Sequence, residues 1–400
     1  TAMGPRAAVA RYRRSDSELA VEMSTQNPHQ VQSDLAETLG VPDNRIRVRP
    51  PDVGGGFGAK LWPYTGHLLA AWCAMRLDRP VKWVAPRTEE FLSMIHARHH
   101  IVHAEAGVDD DGRLRGFRAE TTVPVGGELI PGGSGVPTNL GIMANGQYAV
   151  DAAYVHTTGA FTNTAPTSAY RGAGRPEATY FAERLAKRVS RELDVDPVEF
   201  RRQNFVAPDE FPYETGLGRT YDSGEYDKTL TRALEMVDYD AFRERQAAAR
   251  AEGRYLGVGL SCYVEACGSA PGRLESGVVR VKPSGTVVVK SGTTEIGTGH
   301  RTSYSQIVAE TLGVPFDDIV VHEGDTDAVA EGHGTSGSRA MAVGGSAVKQ
   351  SAERVVETAQ RIAADRLEVA PEDLEVGEGE FHVTGAPSRS VTLAEVASVA

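Results

Sequence analysis

Through the first half of the chain, short runs of alternating apolar and polar residues are separated by segments whose apolar residues recur every three or four positions. These are the patterns of half-buried strands and amphipathic helices. They predict strands over 19–24, 46–48, 81–85, 99–108 and 114–123, and helices over 29–39, 64–75 and 177–193, with another after Pro197. Asp109-Asp110-Asp111-Gly112 joins two alternating runs and reads as a hairpin turn. Residues 125–146 are glycine-rich and weakly patterned, as expected of a long loop, and 226–252 is one charged helical stretch. Strands return over 258–264, 277–281, 287–291 and 319–321, before an alanine-rich helix over 339–367. The expected fold class is α/β (α+β) with mixed sheets, in two domains: 1–253, and 254–400, the second incomplete.

Beneath the pattern lies an internal repeat. Ala36-Glu37-Thr38-Leu39-Gly40-Val41-Pro42 recurs residue for residue as Ala309-Glu310-Thr311-Leu312-Gly313-Val314-Pro315. Both copies follow a strand, a polar turn and a helix, and both lead into another strand and a glycine-rich loop. Matched flanks point to duplication of one supersecondary unit. In register, Thr25-Gln26 falls on Thr298-Gly299, and 54–58 corresponds to 332–338. Each copy therefore presents two turns at helix starts, where unpaired N–H groups favour oxygen-rich or anionic ligands. The first such turn, Asp52-Val53-Gly54-Gly55-Gly56-Phe57-Gly58-Ala59-Lys60, lets backbone approach a ligand closely, with Phe57 as a wall or a plug behind the turn. A bland alternative is a duplicated scaffold whose turns are glycine-rich only to be tight.

Composition narrows the chemistry. A net charge of −12 disfavours nucleic acid, and no stretch approaches the length of a membrane span. Cys73, Cys262 and Cys267 are the only cysteines and form no CxxC pair, which excludes an iron–sulfur cluster built from this chain and fits a reducing cytoplasm. There is no GxGxxG flavin fingerprint.

Together the turns resemble the molybdenum-binding subunit of the molybdenum hydroxylases, the family of xanthine oxidase, aldehyde oxidoreductase and carbon monoxide dehydrogenase large subunits. The resemblance rests on Ser24-Thr25-Gln26-Asn27-Pro28, Val53-Gly54-Gly55-Gly56-Phe57-Gly58-Ala59-Lys60, Ala169-Tyr170-Arg171-Gly172-Ala173-Gly174-Arg175-Pro176, residues 292–302, and Gly334-Thr335-Ser336-Gly337-Ser338-Arg339, in the family's order. It implies two related molybdopterin-binding domains and a molybdenum–pyranopterin cofactor, in the cytosine dinucleotide form. Gln26 would hydrogen-bond an oxygen ligand of the metal. Phe57 and the amide of Gly58, in the turn with Gly56, would approach it from one side, and the backbone at Arg171, beside Gly172, and at Gly337 from others. Gly297, Thr298, Gly299 and His300, with Thr335, Ser336, Gly337 and Ser338, would hold the pterin and its phosphates. Leu61, Ala173, Cys262 and Tyr263 would form the substrate pocket.

Departures sharpen the expectation. Thr298 and Arg301 interrupt the family's Gly-Gln-Gly-His-Glu-Thr. Leu61 stands where xanthine oxidases carry a purine-reading glutamate, and Gly172 where carbon monoxide dehydrogenases carry a copper-binding cysteine. The family's N-terminal α/β domain and C-terminal catalytic glutamate have no counterpart in this sequence. Glu265 is the substitute base to consider, ahead of Val376-Gly377-Glu378, which reads as a surface hairpin. The implied reaction converts R–H and water to R–OH, two electrons and two protons, the substrate being an aldehyde or an aromatic N-heterocycle. Partner chains would carry the iron–sulfur centres and FAD, and separate chains would supply the missing parts; this chain alone is expected to be inactive. The alternative is a catalytically inactive remnant or scaffold that binds partner subunits.

Overall fold

The structure, a computed structural model, describes residues 2–268 and 274–400. The chain folds as two compact units, Thr1–Met94 with Ala266–Ala400, and Ile95–Glu265.

In the first unit the strand Ala7–Arg13 pairs antiparallel with Glu18–Met23, Ala8 lying opposite Met23. The helix Pro28–Leu39 then crosses over, and Ile46–Arg49 lies parallel to Glu18–Met23 with Leu19 opposite Ile46. Every second strand residue (Leu19, Val21, Met23; Ile46, Val48) is buried against Val31 and Leu35 of that helix. A fully buried leucine or valine contributes roughly 1.5–3 kcal/mol, so this seam sets the register. Pro28 suits the first turn of the helix, where its missing N–H costs nothing. Gly40, at φ +67, ends it by donating to the Ala36 carbonyl.

The second copy repeats each step. Gly277–Val281 pairs antiparallel with Val287–Ser291, the helix His300–Leu312 crosses over, and Ile319–Glu323 lies parallel with Ile319 opposite Val287. Gly313, at φ +69, donates to the Ala309 carbonyl, and Pro42 and Pro315 open the equivalent 3-10 turns Asp43–Arg45 and Phe316–Asp318. The duplicated element is thus a ββαβ unit, one strand longer at its start than the sequence pattern indicated. Arg47 forks onto Asp325 at 3.0 and 2.6 Å, and Val48 and Thr326 exchange hydrogen bonds, which joins the two copies within this unit.

The second unit is a three-stranded sheet, Ile101–Val108, Leu114–Gly126 and Ala152–Phe161, with its core formed against Arg175–Glu192 and Pro197–Asn204. The Asp109–Gly112 turn is there, closed by the Gly112 amide on the Asp109 carbonyl.

Several expectations change. Residues 125–146 are not one loop: the helix Gly135–Met143 lies inside them, buried through Val136, Leu140 and Met143, a helical spacing hidden among glycines. Residues 226–252 form two helices, Tyr226–Met236 and Tyr239–Ala251, broken where Asp238 takes φ +47. The long alanine-rich helix begins at Ser346, after a π-helical turn Ala340–Gly345. Residues 258–264 form no strand and pair with none among the described residues. Within the first compact unit the two copies pack together, and residues 95–265 form their own core.

Candidate cofactor site

Gln26 lies just before the first-copy helix and is 2% exposed. Its Oε1 accepts from the amides of Gly58 (2.8 Å) and Lys60 (3.3 Å), while Nε2 donates to the Thr335 carbonyl at 2.8 Å. Its own carbonyl accepts from the Thr335 amide. One carboxamide therefore ties the glycine turn of the first copy to the glycine loop of the second, and Nε2 keeps a further N–H for a ligand. Backbone crowding explains the glycines: a Cβ on Gly56 would strike the Gln26 side chain, and one on Gly334 the Gln26 carbonyl. Phe57 and Ser338 adopt φ +57 and +56, left-handed conformations that a non-glycine residue keeps only when its surroundings impose them.

The burial of one residue behind the turn carries no signal in the sequence pattern. Lys60 is buried, 1% exposed, and its Nζ donates to the carbonyls of Gly4 (2.9 Å) and Val53 (2.7 Å). Burial pushes its pKa down to about 8, against the pull of Glu90. The ammonium draws those carbonyls inward. Across the other loop, the amides of Ser336, Gly337 and Ser338 find no acceptor among the described residues, a run of donors that suits oxo groups or phosphates.

The turn at 297–300 is different. Glu295 Oε1 accepts from the amides of Gly297, Thr298 and Gly299, at 2.7, 2.7 and 3.2 Å, and Oε2 from His300 at 2.7 Å. Burial raises the Glu295 carboxyl, but these amides outweigh it and hold the group below the usual carboxylate range. The chain's own acid thus takes the donors expected to meet phosphate. Glu295, His300 and Glu323 bring potential metal-ligand atoms within 4.8 Å of one another. Yet His300 uses Nδ1 on Glu323 (3.2 Å) and Nε2 on Thr298 Oγ1 (2.8 Å), so the cluster is a hydrogen-bonded helix cap.

In the second unit the Arg171 turn is held by Arg98, whose guanidinium donates to the Arg171 carbonyl and pairs with the buried Glu177 at 3.1 Å. Ala173 takes φ +46, a third strained residue at a predicted turn, and Asn139 Nδ2 holds its carbonyl at 2.9 Å. Glu265 pairs with Arg175 at 2.6 Å, the structural partner an isolated glutamate needs. Cys262 packs toward the core, its amide on Glu183, and burial pushes its thiol up to about 11. Tyr263, the next residue, is 65% exposed. A cleft of about 720 Å³ along the Arg175–Glu192 helix, lined by Arg98, His100, Glu177, Tyr180 and Arg184 among others, has no counterpart among the expected sites.

Residues 1–205 match the molybdopterin cofactor-binding domain family, and residues 232–400 match a second family of the same description. The chain belongs to the molybdenum hydroxylases, as part of their molybdopterin-binding large subunit. It is 35% identical over 404 residues to the carbon monoxide dehydrogenase large chain of Hydrogenophaga pseudoflava, covering 97% of this chain and 50% of that one. The nicotine 6-hydroxylase large subunit of Paenarthrobacter nicotinovorans is 34% identical, with 99% and 50% covered. Quinoline 2-oxidoreductase from Pseudomonas putida 86 superposes with a TM-score of 0.92 at 35% identity, over 100% of this chain and 52% of that one. This chain spans about half the length of these relatives.

Family membership makes position 172 informative. Gly172 sits at φ +99, and a Cβ there would strike the Pro176 ring. A cysteine could enter only if the start of the helix moved. No described helix is long and apolar enough to cross a membrane.

Proposed function

We propose that this chain is the molybdenum–pyranopterin-binding part of a cytoplasmic hydroxylase that oxidises an aromatic N-heterocycle or an aldehyde with water as the oxygen source. The observation that carries this reading is the Gln26 carboxamide, which joins the glycine turn to a loop presenting the amides of Ser336, Gly337 and Ser338. When bound, the cofactor supplies the two-electron acceptor and the metal that activates water. Gln26 Nε2 would donate to an oxygen on the metal, with Phe57, Gly58 and Gly337 as the surrounding backbone. The amides at 336–338 would hold the pterin, in its cytosine dinucleotide form.

Leu61, apolar and next to the glycine turn, favours a flat neutral ring over an anion on that side. Nicotine and quinoline in the names of two relatives support the N-heterocycle. Gly172 argues against a copper-dependent carbon monoxide oxidation, since it offers no thiolate for a soft metal. Glu265 is committed to Arg175, so the general base would come from other polypeptide, and iron–sulfur and FAD partner chains would carry electrons away.

The test is to purify the chain together with its neighbouring gene products and measure molybdenum, pterin nucleotide and copper, then dye reduction with nicotinate, a purine and benzaldehyde. Stoichiometric molybdenum without copper, and turnover of the heterocycle or the aldehyde, are expected. A complex without molybdenum, or one oxidising carbon monoxide, would overturn the reading.

A further inference from the structure

Glu275 belongs to none of the glycine turns, and its side chain is completely buried (0% exposed). Its Oε1 accepts from the His333 amide at 3.0 Å and from Arg339 Nη1 at 3.1 Å. Arg339 is itself 2% exposed. One carboxylate oxygen thus grips both ends of the loop that carries Thr335, Ser336, Gly337 and Ser338. Its Oε2 has no hydrogen-bond partner among the described residues and lies 2.7 Å from where a Cβ on Gly292 would stand. Backbone meets backbone at the same place, since a Cβ on Gly332 would run into the Gly292 carbonyl. A carboxylate is an expensive group to bury there. For fastening alone, a neutral amide or an apolar contact would be cheaper, because replacing buried ion pairs by packed neutral side chains is often neutral or stabilising.

We propose that Glu275 is a positioning residue for the cofactor loop: its negative charge fixes Arg339 and the His333 amide so that the amides of 336–338 stay aimed outward, with Gln26 holding the loop's middle. The proposal rests on the cofactor reading of that loop and names the residue that makes the reading geometrically possible. Burial pushes the Glu275 pKa up to about 7, with Glu331 adding to the rise and the His333 amide and Arg339 opposing it. Tyr304, on the His300–Leu312 helix, also feels its charge. Protonation near neutral pH should therefore slacken the grip on Arg339 while leaving the fold intact.

The experiment compares wild type, Glu275→Gln and Glu275→Asp, each purified in the full complex. Three readouts are taken: molybdenum and pterin per chain, hydrogen exchange of residues 332–339, and thermal unfolding. Glu275→Gln keeps the size and one acceptor but not the charge. It should unfold within a few degrees of wild type, lose about tenfold in cofactor retention and exchange faster in the loop. Loop protection in wild type should fall as the pH drops through about 7 and be flat in Glu275→Gln, with Glu275→Asp restoring the pH dependence. Wild-type loop protection and cofactor content in Glu275→Gln, or a wild-type profile flat across that range, would overturn the proposal. If wild type itself carries no molybdenum, the cofactor reading fails, but the exchange profile still decides whether Glu275 positions the loop.

Discussion

Gln26 concentrates three hydrogen bonds in one buried carboxamide, and its loss should be felt well beyond any ligand. Gln26→Leu removes them and strands the Gly58 amide and the Thr335 carbonyl, a cost of about 2–4 kcal/mol. The urea midpoint should fall with an unchanged slope, and an unaltered midpoint would mean that water replaces the side chain. Lys60 makes a pH-dependent prediction. Its folded pKa of about 8 lies below the ordinary 10.5, so its stabilising contribution is present above the ordinary value and lost as pH falls through 8. Unfolding free energy should therefore rise between pH 8 and 10.5, by at most about 3 kcal/mol from this group, and Lys60→Met should flatten that window. A slope that survives the substitution would assign the titration to another residue.

At the scale of elements, the two copies end their helices alike but in different company. A Cβ on Gly40 would meet nothing within 4 Å, whereas one on Gly313 would stand 2.7 Å from the Gly379 amide nitrogen and 2.8 Å from that of Glu378. Gly40→Ala should then cost only the left-handed conformation, about 1 kcal/mol, and Gly313→Ala about 1–3 kcal/mol more as the hairpin Leu374–Gly377 to Glu380–Val383 is pushed aside. Thermal unfolding of the two variants would show the difference, and equal losses would mean that the hairpin yields freely. The repeat was legible because helix stop, proline and strand recur in fixed order, and Gly-Val-Pro has one good conformation at a helix end. The strand Ala152–Phe161 was not, since Ala152-Ala153 at its start and Thr157-Thr158-Gly159-Ala160 near its end give it little hydrophobic contrast. The segment at 258–264 was predicted as a strand for a sound local reason, but pairing is a property of neighbours. Site residues divide the same way. Gln26, Phe57, Ala173 and Ser338 announced themselves through motif and turn, and the last three carry positive φ. Glu275, Glu295 and Lys60 are charges that only three-dimensional burial makes special.

On the scale of the whole molecule, there are more cores than compact units. Buried apolar residues form one cluster from Ala8 to Ala74, one from Leu114 to Leu230 and one from Val279 to Val396, and the first and third belong to the same compact unit. What joins those two is polar and specific: Gln26 with Thr335, Arg47 with Asp325, and Val48 with Thr326. Joints of this kind set geometry without supplying the bulk of folding energy, so each half should fold on its own core and find the other in solution. Residues 266–400 expressed alone are expected to unfold cooperatively yet exchange rapidly over 324–339. Adding a separate polypeptide of residues 1–94 should slow that exchange, with an affinity that Gln26→Leu reduces by about tenfold or more. Protection of 324–339 in the isolated piece would show that the loop is shaped by its own copy, and Gln26 would then no longer be the tie between the copies.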